Sequence, residues 1–282
     1  MLIDTHAHLD FPDFASDLDD ILQRAAAAGV TRVISIGTSV ESSRRAVALA
    51  EKYPQVYAVI GVHPNSAHEA AGNFIEDLRS LAAHPRVVAI GETGLDYYRL
   101  PGASRSRESL TALGNETPGD IDAALEDGAR KSIQASVFEQ QLELAVELGL
   151  NAVIHEREAW DDTLAILRRH TGRLRTAFHC FGKSPAHAQE LFALDHLVSF
   201  TGIVTFKSAA DAQATAGMAP ADRFMVETDC PFLAPVPFRG KRCEPAHTRN
   251  TAEFIARLRG ETLEALAAHT SSTAESFFRF SR

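Results

Sequence analysis

Cysteine is scarce in this chain: Cys180, Cys230 and Cys243 are the only three in 282 residues, and none stands in a CxxC pair. An odd, scattered set argues against a disulfide framework and fits a reducing cytoplasm. Long apolar runs are missing as well. No stretch approaches the roughly 18 uninterrupted apolar residues of a membrane helix, so no membrane partner is expected. The opening Met1-Leu2-Ile3-Asp4-Thr5-His6 has neither the basic nor the apolar part of a signal peptide, which predicts a cytoplasmic location. Positive charge is also short: 28 lysines and arginines against 37 acidic residues leave a formal net charge of −9. An extended surface for gripping duplex DNA would carry a basic footprint, so that class is disfavoured. An enzyme that grips one phosphate through bound cations escapes the objection, because the cations concentrate positive potential inside the pocket.

What is present is an ordinary globular composition, 45% hydrophobic and 23% charged, with short β-branched runs alternating with longer stretches of helical period. Eight strands are expected: Leu2–Thr5, Val33–Ile36, Val56–Ile60, Val87–Ile90, Ala152–Ile154, Thr176–Phe178, Leu197–Phe200 and Phe224–Val226. Their near-continuous apolar character suits strands buried on both faces. Helices are expected over Asp17–Ala28, Ser39–Lys52, Ser132–Leu148, Trp160–His170, Pro185–Ala193 and Ser208–Thr215, with Gly29 and Gly149 as stop signals. Eight strands with intervening helices favour an α/β fold of the (β/α)8 TIM-barrel type over an open sheet. Such a barrel uses about 250 residues as one domain, so residues 1–282 read as a single unit. One segment breaks the rhythm. Residues 100–131 are rich in Gly, Ser, Pro and mixed charge, and read as an inserted surface loop, with a lid over the site as the alternative.

The chemistry gathers at the strand ends. His6 and His8 form an HxH pair past the first strand, and alternate residues of extended chain point the same way. Glu92 follows the fourth strand, His155 ends the fifth, His179 ends the sixth and Asp229 follows the eighth. Six ligand-type residues at the C-terminal ends of five strands coincide with the face where barrel active sites are built. Four histidines and two carboxylates exceed the three protein ligands of a single catalytic zinc. The surplus suggests two divalent metals, with Glu92 bridging them, His6, His8 and Asp229 on one, and His155 with His179 on the other. Mixed nitrogen and oxygen ligands are compatible with Mg, Mn, Zn or Ni.

Several neighbours divide between a role and ordinary packing. His63, in Gly61-Val62-His63-Pro64, either contacts a substrate phosphate or packs the barrel mouth. Arg157 and Lys183 are phosphate contacts or solvated loop charges, and Arg239, Lys241 and Arg242 form a short basic cluster beside the expected site. Tyr97 and Tyr98 either stack on an unpaired base or pack in the core.

The stretches Asp4-Thr5-His6-Ala7-His8-Leu9-Asp10, Gly61-Val62-His63-Pro64, Gly91-Glu92-Thr93-Gly94-Leu95-Asp96-Tyr97-Tyr98, Ile154-His155-Glu156-Arg157, His179-Cys180-Phe181 and Glu227-Thr228-Asp229-Cys230-Pro231 resemble, in order, the TatD family of metal-dependent deoxyribonucleases. The segment Arg239-Gly240-Lys241 with Glu244-Pro245 adds to the likeness. The resemblance implies an amidohydrolase-like barrel, a two-metal site on His6, His8, Glu92, His155, His179 and Asp229, and hydrolysis of DNA, often from the 3′ side. Two positions depart from the pattern: Gly182-Lys183-Ser184 replaces the usual Ser-Gly after His-Cys-Phe, and Cys243 stands where Asn is common before Glu-Pro. On this reading Asp229 is the general base, with Glu92 beside it in the catalytic centre. Two other readings remain: the same barrel acting on a small ester, amide or phosphoester or on aminoacyl-RNA, and a non-catalytic metal-stabilised scaffold.

Overall fold

The computed structural model of the chain describes residues 1–70, 72–102 and 118–280. Its frame is eight parallel strands: β1 (Leu2–Ala7), β2 (Val30–Ile36), β3 (Val56–Ile60), β4 (Val87–Asp96), β5 (Asn151–Arg157), β6 (Thr176–Phe178), β7 (Leu197–Phe200) and β8 (Phe224–Val226). Each pairs with the next in sequence order. The sheet closes just beyond β8, where the Asp229 amide donates to the His6 carbonyl (2.8 Å) and the His8 amide donates to the Cys230 carbonyl (2.9 Å). These bonds join the ends of β1 and β8, which makes the sheet a nearly closed barrel and abolishes its free edges.

Around it lie helices α1 (Leu18–Ala27), α2 (Val40–Lys52), α3 (Phe74–Ala82), α4 (Pro118–Leu148), α5 (Trp160–Arg168), α6 (Pro185–Ala193), α7 (Ala210–Met218), α8 (Thr248–Arg259) and α9 (Leu263–Phe278). Among the described residues no helix is long and apolar enough to cross a membrane. Gly29 and Gly149 hold the positive φ (84° and 61°) that stops α1 and α4.

Expected and observed elements differ in several places: helices α3, α8 and α9 have no expected counterpart, and strands β1, β2, β4 and β5 are longer than expected. Helix α4 begins at Pro118 rather than Ser132, so much of the expected loop is helical. Its Ala, Leu, Glu and Arg content favours that state, and Arg130 donates to Glu126 one turn earlier (3.1 Å). Residues 103–117 of that expected loop lie outside the described residues. Strand β4 runs to Asp96, not Ile90, and β5 runs to Arg157. Helix α7 starts at Ala210 rather than Ser208 and reaches Met218. Inside the barrel, Ile34, Val59, Val153, Leu197 and Met225 form an apolar cluster with Phe277 and Phe278 of α9, which plugs the end opposite the strands' C-termini.

Candidate active site

The barrel's own hydrogen bonding brings the predicted ligands together. His6 lies on β1 and His8 just past it, and the closing bonds to Asp229 and Cys230 set Asp229 beside them. Asp229 sits at φ 58°, a left-handed conformation uncommon for a residue with a Cβ and often associated with functional sites. Glu92 is carried inside β4, and the glycines around it have a steric cause. Gly91 and Gly94 adopt φ of 146° and 140°, and a Cβ at Gly94 would collide with the His155 carbonyl oxygen. Without side chains there, β4 lies close against β5, and Gly94 pairs in register with His155. His179 follows β6 directly, its amide bonded to the Ile154 carbonyl (3.1 Å).

Glu92 is the centre of the arrangement. Its Oε2 lies 3.3 Å from His6 Nε2 and 3.8 Å from His8 Nε2. Its Oε1 lies 2.8 Å from both His155 Nδ1 and His179 Nε2, and 3.5 Å from His63 Nε2. Asp229 Oδ1 stands 3.3 Å from His8 Nε2 and 3.7 Å from His6 Nε2. One carboxylate therefore presents each oxygen to a different group of imidazoles. His6, His8 and Asp229 on one side, and Glu92, His155 and His63 on the other, form groups compact enough to hold an ion.

Burial and charge explain why this assembly suits cations. His6 is wholly buried, yet neither of its ring nitrogens makes a hydrogen bond. The facing nitrogens of His155 and His179 are 3.1 Å apart. Leaving a buried polar atom without a partner is costly, and a cation removes that cost. Burial opposes protonation of His179, but Glu92 and Glu227 outweigh it and raise its pKa well above the usual histidine value. His8 and His155 are raised likewise against burial, by Asp229 and Glu92 and by Asp96 and Glu92 respectively. Burial also works against the charge on Glu92 and Asp229, but the surrounding imidazoles hold both below the usual carboxylate range.

Comparison with known proteins bears on what such a site is. The family described as TatD related DNase matches residues 3–279. The chain belongs to the TatD family. A metal-dependent hydrolase of Bacillus subtilis, YabD, is 37% identical over 280 residues, covering 99% of both chains. The 3′-5′ ssDNA/RNA exonuclease TatD of Erwinia tasmaniensis is 31% identical over 284 residues, covering 98% of this chain and 99% of its own. Among solved structures, the TatD homologue YjjV of Escherichia coli superposes with a TM-score of 0.83 at 28% identity, covering 99% of this chain and 98% of the other. The chain is thus a TatD-family metal-dependent hydrolase on a TIM barrel.

In this TatD-family site, three of the five expected substrate contacts border a cavity of about 810 Å3 and two do not. His63, Arg157 and Lys183 line it together with the metal-site residues, and Arg99 joins them. His63 accepts a bond from the Asn65 amide at Nδ1 (3.0 Å), which leaves Nε2 to carry the proton and face Glu92. Burial lowers its pKa to about 3, so the ring stays neutral. Arg157 lies over the Tyr98 ring (3.5 Å), and Lys183 pairs with Glu156 (3.1 Å). Arg239 and Lys241 do not line the cavity. Arg239 lies over Phe206 instead, and Arg242 pairs with Asp17 (2.6 Å), so the basic cluster of the sequence is dispersed over separate partners. Tyr97 is tied to Asp162 through its hydroxyl (2.7 Å) and is not at the cavity either. Of the two departures from the family pattern, Gly182 and Lys183 border the cavity, while Cys243 is buried.

Three acidic residues that sequence reasoning left without a role complete the site. Asp96 lies 3.3 Å from His155 Nε2, and Glu227 lies 3.6 Å from His179 Nδ1. Glu227 is itself held by the Cys180 amide (2.7 Å) and the Ser199 hydroxyl. Asp4 accepts the Thr228 hydroxyl (2.6 Å) and amide (3.0 Å), pinning β1 to the segment that carries Asp229. Burial pushes the Asp4 carboxyl up to about 7. His8 is oriented by a backbone group, with Nδ1 3.3 Å from the Ile36 carbonyl. Carboxylates and carbonyls behind the rings fix which nitrogen faces inward.

Proposed function

We propose that the chain hydrolyses phosphodiester bonds of DNA at strand ends, removing nucleotides from the 3′ side, with two divalent cations (Mg, Mn, Zn or Ni) held across Glu92. The single observation that carries the reading is the division of Glu92 between two groups of imidazoles, Oε2 toward His6 and His8 and Oε1 toward His155 and His179. Cations bound there supply Lewis-acid chemistry, activating water and neutralising charge on the phosphoryl oxygens. Asp229, ionised at neutral pH and partly open to the cavity, takes the proton from the attacking water. His63, neutral with its proton on Nε2, donates a hydrogen bond to a phosphoryl oxygen but does not act as an acid. Arg99, Arg157 and Lys183 add positive charge at the cavity wall, which offsets the chain's acidic balance where phosphate enters. The family's description and the exonuclease name of the Erwinia relative support DNA as the substrate. The free cysteines support a cytoplasmic setting.

The test is cleavage of end-labelled single- and double-stranded oligonucleotides by purified protein with Mg, Mn or Zn, with chelator, and by Asp229→Asn. Metal-dependent shortening from the 3′ end, lost in the variant, is the expected result. Metal binding without cleavage of any oligonucleotide would overturn DNA as the substrate and favour an ester, amide or aminoacyl-RNA.

A further inference from the structure

The cavity has two unlike walls. In an eight-stranded barrel β1 and β8 lie across from β5, so the residues that follow β1 and β8 face those that follow β5. On the β5 side stand Arg157, Lys183 and Arg99. On the β1 and β8 side stand Phe11 and Phe232. Phe232 is 51% exposed, one of the few large apolar side chains so open among the described residues. A single exposed aromatic is ordinary on a protein surface. This one is paired and anchored on the site.

Phe11 follows His8 by three residues, and its amide donates to the His8 carbonyl (3.2 Å). Phe232 follows Asp229 by three residues, and its amide donates to the Asp229 carbonyl (3.0 Å). Each ring is thus tied by a tight turn to a residue of the metal-binding group. The two rings meet nearly at right angles, 81° with centroids 6.0 Å apart, and Phe11 stacks on His8 at 4.8 Å. The result is an apolar corner beside the catalytic carboxylates, open to the cavity. A flat heterocycle entering it lies against one ring and meets the edge of the other, the two favoured aromatic geometries.

We propose that Phe11 and Phe232 form the seat of an unpaired terminal nucleobase, with the strand's phosphates running toward Arg99, Arg157 and Lys183. The inference rests on the nuclease reading and deepens it. A stacking seat accepts any base because every base has a π-face, but it requires the base to be unpaired. The enzyme therefore selects single-stranded or frayed ends with little regard to sequence. Tyr97 and Tyr98, the aromatic pair that stands out in the sequence, do not take this part: neither borders the cavity.

The experiment compares kcat/KM on a single-stranded oligonucleotide with an ordinary 3′-terminal nucleotide and on one whose last nucleotide is abasic. It uses the metal-loaded wild type, Phe232→Ala, Phe232→Leu, Phe232→Tyr, and Val236→Ala as an exposed control from the same loop but outside the cavity lining. Wild type should prefer the ordinary end roughly ten- to hundredfold, the range of base–aromatic stacking at about 1.4 kcal/mol per decade. Phe232→Ala should collapse that ratio toward unity, chiefly through KM, while Phe232→Leu recovers little and Phe232→Tyr restores it. Val236→Ala should keep it. Robust cleavage with the same preference in wild type and Phe232→Ala would overturn the stacking seat alone. A Phe232→Leu variant as discriminating as wild type would overturn it too, showing apolar bulk rather than an aromatic face. Absence of cleavage of every oligonucleotide by wild type would overturn the nuclease reading and this inference with it.

Discussion

The two ends of the barrel are built on opposite principles. At the end closed by α9, Ile34, Val59, Leu197 and Met225 pack on Phe277 and Phe278, and the polar groups nearby serve the packing. Asn151 there donates to the Phe277 carbonyl (2.7 Å) and accepts from the Arg175 amide (3.2 Å), tying helix to barrel. At the other end, His6, Glu92 and Asp229 are brought out of water and set within a few ångströms of one another, with neither ring nitrogen of His6 hydrogen-bonded. A core that close-packs gains stability from every side chain it buries. A cluster of buried carboxylates and unpaired imidazoles does not, and it persists because the apolar end and the strand hydrogen bonds hold it in place. Stability and function thus divide along the barrel axis.

The sharpest way to break this comparison is a pair of substitutions. Asp229→Asn should lower turnover about 10²–10⁴-fold, the usual contribution of a general base, while the melting temperature stays level or rises. Phe277→Ala should cost about 3–5 kcal/mol in denaturant unfolding, with turnover per folded molecule unchanged. If the alanine variant lost turnover while remaining folded, the two ends would be coupled and the division would fall.

A second test uses pH at the apolar end. His196 is buried and accepts a bond from the Thr176 amide at Nδ1 (3.3 Å), and burial lowers its pKa from 6.5 to about 4. Because the unfolded state binds the proton more tightly, His196 contributes no penalty above pH 6.5. Stability should fall as pH drops from 6.5 toward 4, by at most about 3 kcal/mol for this group. His196→Gln should flatten that part of the stability profile measured by urea unfolding. An unchanged profile would show that His196 does not carry it.

The smallest effect sharpens the cationic wall. Arg99→Ala should raise KM for oligonucleotides several-fold and reduce the slope of log KM against log salt by about one phosphate contact. A kcat effect with KM unchanged would move Arg99 from substrate binding to the chemistry.

Much of this was legible in the sequence, for identifiable reasons. Strands β3, β6, β7 and β8 have the expected bounds because each is a short apolar run bounded by polar residues or glycine. The convergence of six ligand-type residues follows from the sequence because barrel strands deliver their ends to one face, so side chains far apart in sequence share one place. Strand β4 runs past its expected end at Ile90 because Gly91 and Gly94, residues that commonly interrupt a strand, here allow β4 to press against β5. Asp96, Glu227 and Asp4 carried no assignable role, since a carboxylate orienting a histidine has no fixed spacing from it. Arg239, Lys241 and Arg242 show the converse: adjacency in sequence says nothing of direction, and Arg242 turns to Asp17. Phe11 and Phe232 stand 221 positions apart, and only the closure of β1 on β8 brings them to one corner.

The central claim is that Glu92 joins two cations at the C-terminal end of the barrel. Loading the purified protein with manganese, counting the metal per chain and recording its EPR spectrum tests this most directly. The account predicts two manganese ions per chain with an exchange-coupled spectrum, and loss of that coupling in Glu92→Gln. One ion per chain, or two that show no coupling in the wild type, would contradict it.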